Sequence, residues 1–179
     1  MKTIITETNV YKFEELSDKA KKNALQNLWD LNVDYGWWDY THDDANTIGM
    51  EITSFDLDRH KECNADIYDP QKTAQLILEN HGEVCDTYKL AKSFLTEVQP
   101  IQETADLFED DDDTTREQYD ANSDLYDDIK TLETEFKRAL CEEYANILQK
   151  EYEYLTGEAA IIESIESNDY DFTEDGKLF

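Results

Sequence analysis

Basic residues are scarce in this sequence. Sixteen Lys and Arg face 44 Asp and Glu, a formal charge of −28. Contacts to a phosphate backbone need a basic patch, so direct nucleic-acid binding is excluded as a main activity. An anionic membrane is an unfavourable partner for the same reason. No stretch approaches the roughly 20 consecutive apolar residues of a membrane span. The opening Met1-Lys2-Thr3-Ile4-Ile5-Thr6 reads as a strand and not as an export signal. Cys63, Cys85 and Cys141 are odd in number and unpatterned in spacing, so reduced thiols in a cytoplasm are expected. Internal repeats, Ser/Gly linkers and Gly-rich phosphate loops are missing too. That favours one domain over residues 1–179, with sub-lobes 1–69 (sheet and two helices) and 70–179 (mainly helical, with a terminal strand).

What is present argues for a folded chain. Eleven Tyr, seven Phe and three Trp are a large aromatic load for an acidic protein, and disordered acidic chains are poor in aromatics. The pattern predicts an α+β fold: a small antiparallel sheet packed with several helices, one of them long and amphipathic in the C-terminal half. A β segment is expected over 2–13, then a helix of about four turns. That helix is capped by Ser17 and buries Ala20, Ala24, Leu28 and Leu31, with Leu25 alongside. Tyr35-Gly36 breaks it. A second helix has Trp38, Thr41, Ala45 and Ile48 as its inner stripe and Gly49 as its C-cap. Glu51–Asp58 and Cys63–Tyr68 alternate as strands, with Phe55 and Leu57 inward in the first and Cys63, Ala65 and Ile67 inward in the second. Arg59-His60-Lys61 links them as a hairpin.

Pro70 opens a third helix that stops at His81-Gly82. A fourth is predicted from Asp86 to Gln99, with Pro100 beginning an irregular stretch that ends in a solvated acidic loop, Glu109-Asp110-Asp111-Asp112-Asp113. From Thr115 to Leu155, apolar residues recur mostly at steps of three and four: Leu125, Ile129, Leu132, Phe136, Leu140, Tyr144 and Ile147. This is one long helix or two with a bend. Gly157 ends it. A short helix with Ala160, Ile161 and Ile165 follows, and Tyr170–Phe179 forms a terminal strand turning at Asp175-Gly176.

Several segments carry a resemblance: Tyr11-Lys12-Phe13-Glu14-Glu15-Leu16-Ser17-Asp18-Lys19-Ala20-Lys21, Asp34-Tyr35-Gly36-Trp37-Trp38-Asp39, Ser54-Phe55-Asp56-Leu57-Asp58-Arg59 and Glu79-Asn80-His81-Gly82-Glu83. It is clearest near the end, in Lys150-Glu151-Tyr152-Glu153-Tyr154-Leu155-Thr156 and Phe172-Thr173-Glu174-Asp175-Gly176-Lys177. Together these resemble a family of small acidic proteins carried by bacteriophages and mobile elements, some of them labelled antitoxin-like. The resemblance implies a bacterial or phage setting and brings no catalytic residues with it.

The chemistry-bearing groups are few. His60, Cys63, His81 and Cys85 supply four N and S ligands of the kind zinc takes, although a strand-core role for Cys63 and a helix-end role for His81 account for them as well. Asp171-x-Thr173-x-Asp175-Gly176 matches the first half of a calcium loop but lacks the twelfth-position Glu. His42-Asp43-Asp44 beside Trp37-Trp38 places a general base near carboxylates without a nucleophile, and Cys141 has no His near it in sequence. No cofactor and no catalytic residue is expected.

Charge is the feature with most content. Residues 103–179 hold 25 acids against 6 bases, whereas residues 1–102 hold 19 against 10. On the long helix Asp120, Asp124, Asp127 and Asp128 share a flank, with Glu135, Glu142 and Glu143 further along. Glu109, Asp110 to Asp113, Asp120, Asp124, Asp127 and Asp128 form a candidate acidic face for a basic, nucleic-acid-binding protein. The leading expectation is a non-enzymatic acidic inhibitor that mimics nucleic acid. The alternatives are an antitoxin-like module binding through an apolar helix face, and a small metal-dependent enzyme.

Overall fold

The computed structural model describes residues 1–3, 7–109 and 116–179, with the side chains of 108–121 outside that description. Among the described residues, six α-helices and one two-stranded antiparallel sheet make up the fold. The helices are α1 (Asp18–Asn27), α2 (Asp39–Thr47), α3 (Pro70–Asn80), α4 (Asp86–Glu109), α5 (Arg116–Leu155) and α6 (Glu158–Ser167); the strands are β1 (Met50–Asp56) and β2 (Glu62–Ile67). The α+β class and the long C-terminal helix stand as the sequence predicts. The compact units fall along a different line from 1–69 and 70–179: one is Met1–Trp38 with Lys150–Phe179, the other Asp39–Gln149.

In the first unit the chain's two ends meet. Among the described residues of the predicted N-terminal β segment, pairing is confined to Tyr11, whose N–H donates to the Phe172 carbonyl while Phe172 N–H donates to that of Tyr11, both at 2.8 Å. Residues 4–6 lie outside the described residues, and Phe13, the last residue of the expected segment, opens a 3-10 turn over Phe13–Glu15. Ser17 caps α1 as predicted, its Oγ accepting from Ala20 N–H at 3.3 Å. The helix ends at Asn27, short of the predicted four turns, and Leu28 and Leu31 reach the core from the following turns. That core is Phe13, Leu16, Ala20, Ala24, Ile161, Ile165 and Phe172.

Polar clamps close this unit. Lys12 Nζ lies 2.8 Å from the Asp169 carbonyl oxygen, Asp169 Oδ1 and Asp171 Oδ1. Hydrogen bonds to Asp169 and then Asp171 raise its pKa above the ordinary lysine value. Asn32 Nδ2 donates to the Leu155 carbonyl at the end of α5, and its Oδ1 accepts from Ser164 Oγ on α6. The tail after α6 forms isolated bridges, Phe172 with Tyr11 and with Leu178, and not the predicted strand. Its turn is as predicted: Gly176 has φ 82° and Thr173 N–H donates to the Lys177 carbonyl.

The second unit is built on the hairpin, α2 to α4 and α5 as far as Gln149. Met50 pairs with Ile67 and Asp56 with Glu62, and a bulge between Ile52 and Ser54 shifts the register. A period-two pattern changes parity across such an insertion. Met50 and Ile52 are therefore buried before it, and Phe55 turns partly inward after it. Asp56 Oδ1 accepts from the backbone N–H groups of Asp58 and Arg59 and so shapes the link; those bonds lower the Asp56 pKa. Gly49 closes α2 at φ 76°. Asp69 caps α3, with Pro70 in its first turn.

The predicted stop at Pro100 is overturned: α4 continues to Glu109 with the proline inside it. A helical proline costs about 3 kcal/mol because it removes a donor and crowds the preceding turn. Here the ring is exposed, and the buried stripe Ala91, Phe94, Leu95 and Val98 resumes beyond it at Ala105. Thr104 Oγ1 donates to the Pro100 carbonyl at 2.8 Å. The expected loop at Glu109 begins instead as the last helical residue, and Asp110 to Asp113 lie outside the described residues. Helix α5 is continuous, and no Gly or Pro occurs between Pro100 and Gly157. Ile129, Phe136, Leu140, Tyr144 and Leu148 form its buried stripe.

Candidate acidic face and the polar lock behind it

The acidic face arises from helical arithmetic. At about 100° and 1.5 Å per residue, Asp124, Asp128, Glu135 and Glu142 lie within roughly 40° of one line along α5. Asp127 is on the adjoining flank. All five are exposed, on the side of α5 away from Ile129, Phe136, Leu140 and Tyr144. Asp124, Asp127 and Asp128 bring three carboxylates within about 6 Å of helix rise, a charge every 2–3 Å or so, comparable with the ~1.7 Å per charge of duplex DNA. Glu135 and Glu142 follow at steps of about 10 Å, so the density falls along the helix. Arg138 enters the row there and reaches Glu142 at 3.6 Å. Glu143, expected with this set, is half-buried and its Oε1 accepts from Asn146. The side chains of Glu109 and Asp120, like Asp110 to Asp113, lie outside the described residues.

Behind this face sits a polar cluster whose connections the sequence did not announce. Tyr144 on α5 donates its hydroxyl proton to Asp44 Oδ2 on α2 at 2.7 Å. Burial first, then the Asp44 carboxylate, pushes the phenol well above its usual pKa. His81, at the C-cap of α3, has Nδ1 2.8 Å from Thr87 Oγ1. Its Nε2 is 3.5 Å from Asp44 Oδ1, an electrostatic contact without hydrogen-bond geometry. Hydroxyl, imidazole and carboxylate in this order form the pattern of an activated nucleophile. Thr87, however, is only 4% exposed, so the hydroxyl is closed off from any substrate. The cluster ties α2, α3, α4 and α5 together.

Its asymmetry gives a stability prediction. Asp44 is half in solvent, with 48% of its side chain exposed, so water replaces the donor lost in Tyr144→Phe, which should cost about 1 kcal/mol. Asp44→Ala leaves the fully buried Tyr144 hydroxyl and His81 Nε2 facing nothing, and should cost about 2–3 kcal/mol. Urea midpoints followed by far-UV circular dichroism decide this; equal losses would mean that Tyr144 reaches water by itself.

The other sequence candidates disperse. His60 is exposed in the hairpin link, Cys63 is buried on β2, His81 belongs to the polar cluster and Cys85 is exposed. Among the described residues no three His, Cys, Asp or Glu side chains converge as a metal site. The tail carboxylates are held by ammonium groups: Lys12 on Asp171, and Lys177 on Asp175 at 2.9 Å. Hydrogen bonds from Thr173 and then Lys177 lower the Asp175 pKa. His42 sets its ring edge-on to Phe55. Trp37 packs against Trp38 and Tyr152 at centroid distances of 5.7 and 5.6 Å. Among the described residues no helix is long and apolar enough to cross a membrane. No family model, no curated protein and no solved structure matches this chain.

Proposed function

We propose that this chain is a non-enzymatic binding protein that presents the exposed acidic face of α5 to a basic partner. The observation that carries the reading is the one-sided row Asp124, Asp128, Glu135 and Glu142, with Asp127 beside it, opposite the buried residues Ile129, Phe136, Leu140 and Tyr144. With that stripe buried, this side of α5 has only its charge to offer. The three-carboxylate start of the row supports the sharper form: a nucleic-acid mimic that occupies the basic groove of a host nucleic-acid-binding protein. The segments resembling phage and mobile-element proteins fit the same setting, the cytoplasm of a bacterial host. Association would be steered by the −28 charge and weakened by salt.

The test is capture from bacterial lysate at low salt, followed by a salt gradient. A basic nucleic-acid-binding protein should elute between about 50 and 200 mM salt. Replacing Asp124, Asp127 and Asp128 with Asn and Glu135 with Gln should weaken its capture about 10- to 100-fold, at up to 1 kcal/mol for each exposed pair. A partner that survives high salt and ignores these changes would overturn the reading.

A further inference from the structure

The tail turn contains a link that is chemically labile by itself. Five glycines occur in the chain, and only Gly176 follows an Asp or Asn. At an Asp-Gly link the glycine nitrogen can attack the aspartate side-chain carbonyl carbon, because no Cβ shields it. The attack expels one water and closes a five-membered succinimide. One water then reopens the ring at either carbonyl. One opening gives back Asp; the other leaves isoaspartate, whose backbone runs through the former side chain and is one methylene longer. No other reactant is needed. The step requires a neutral carboxyl, a free Gly176 N–H and a backbone able to swing one towards the other.

The docked turn withholds all three. Asp175 Oδ1 accepts from Thr173 Oγ1 at 2.6 Å, and Oδ2 lies 2.9 Å from Lys177 Nζ. Those contacts, Thr173 first, lower the Asp175 pKa and keep the carboxyl ionised, and the ionised form is the poor electrophile. Gly176 N–H is engaged too, donating to the Thr173 carbonyl at 2.9 Å. The backbone is pinned on either side. Thr173 N–H donates to the Lys177 carbonyl at 2.9 Å, and Asn23 Nδ2 on α1 donates to the Asp175 carbonyl at 3.2 Å. Gly176 itself is buried against α1, where a Cβ would lie 2.1 Å from the Ala20 carbonyl oxygen. A turn packed this closely has no room for a backbone lengthened by a methylene one residue earlier.

We infer that Asp175-Gly176 is a self-modification site guarded by the fold: the docked turn prevents isomerisation, opening of the tail permits it, and an isomerised tail cannot dock on α1 again. The first unit, in which Tyr11 and Phe172 bring the two ends of the chain together, thereby carries a one-way record of its own opening. The site is independent of the binding role proposed for α5.

The test follows isoaspartate at position 175 in the full chain held warm at neutral pH for days, with and without urea. Chromatography separates the two forms of the tryptic peptide 151–177, and electron-transfer fragmentation distinguishes Asp175 from Asp169 and Asp171. Conversion should be at least about tenfold slower in the folded chain than in urea. Thr173→Val removes one hold on the carboxyl. It should speed conversion of the folded chain about three- to tenfold and leave the rate in urea unchanged. The isoaspartate form, purified and returned to native buffer, should lose hydrogen-exchange protection at the Thr173 and Gly176 amides. Any of three results overturns the inference: conversion no faster in urea than in the folded chain, Thr173→Val changing both rates alike or neither, or an isoaspartate form that regains that protection.

Discussion

Gly176→Ala is expected to be among the most damaging single-methyl changes in this protein, costing about 2–5 kcal/mol. Gly176 has φ 82°, and an added Cβ would sit 2.1 Å from the Ala20 carbonyl oxygen and 2.9 Å from its carbon. Those are backbone atoms of α1, so no side chain can rotate out of the way. Either the tail turn lifts off or α1 moves, and both open the core made by Ala20, Ala24 and Phe172. Gly49→Ala is the control: its φ is 76°, but the nearest atom to its Cβ is Thr73 Oγ1 at 3.6 Å. It should lose only the conformational term, about 1–2 kcal/mol. All three tryptophans, Trp29, Trp37 and Trp38, belong to the unit that holds Gly176, so tryptophan fluorescence in urea reads the effect directly. Equal midpoints for the two variants would mean that the tail turn is not held against α1 in solution.

The contrast between those two glycines shows where sequence reasoning reaches and where it stops. Both positions were legible as turns, because Gly after a helix or after Asp marks a positive φ. Nothing in the sequence says that one turn presses on a backbone carbonyl 156 residues away. Local signals behaved likewise throughout. Ser17, Pro70 and the 115–155 periodicity each act within a few residues, and each forms the predicted element. Pro100 failed as a stop because its local penalty was outweighed by burial on both sides, a tertiary term. Among the described residues, the predicted terminal β segments pair only as the bridges Tyr11–Phe172 and Phe172–Leu178, because strand-like residues pair only as far as a partner edge extends.

The candidate sites divide in the same way. The acidic flank of α5 could be read from spacing, since Asp124 and Asp128 are one turn apart on any helix. The link from Tyr144 to Asp44 spans 100 residues and left no pattern in the chain. The same holds for Cys63 and Cys141, which line one cleft although sequence alone assigned them separate roles. One signal was available for Tyr144: a polar tip at a stripe position between Leu140 and Leu148 implies a buried partner.

The second large effect is expected at Phe136→Ala, at about 3–5 kcal/mol. Phe136 is 2% exposed and Phe94 5%, and their rings stack with centroids 4.4 Å apart and planes 12° from parallel. This pair joins α4 to α5 at the middle of the unit's core, so deletion removes a full aromatic burial and strips one face from Phe94 as well. Stacking adds about 0.5–1.5 kcal/mol beyond area. A double-mutant cycle with Phe94→Ala should therefore return a coupling of that size or larger. Leu132→Ala, one turn earlier and only half-buried, should cost about 1–2 kcal/mol. Since whole domains are stable by about 5–15 kcal/mol, Phe136→Ala takes a large part of what holds α5 in place, and with it the alignment of Asp124, Asp127, Asp128 and Glu135. Far-UV circular dichroism in urea measures the loss. If Phe136→Ala proves no worse than Leu132→Ala, α5 is not seated on α4 through this pair, and the acidic row has lost the support that makes it one-sided.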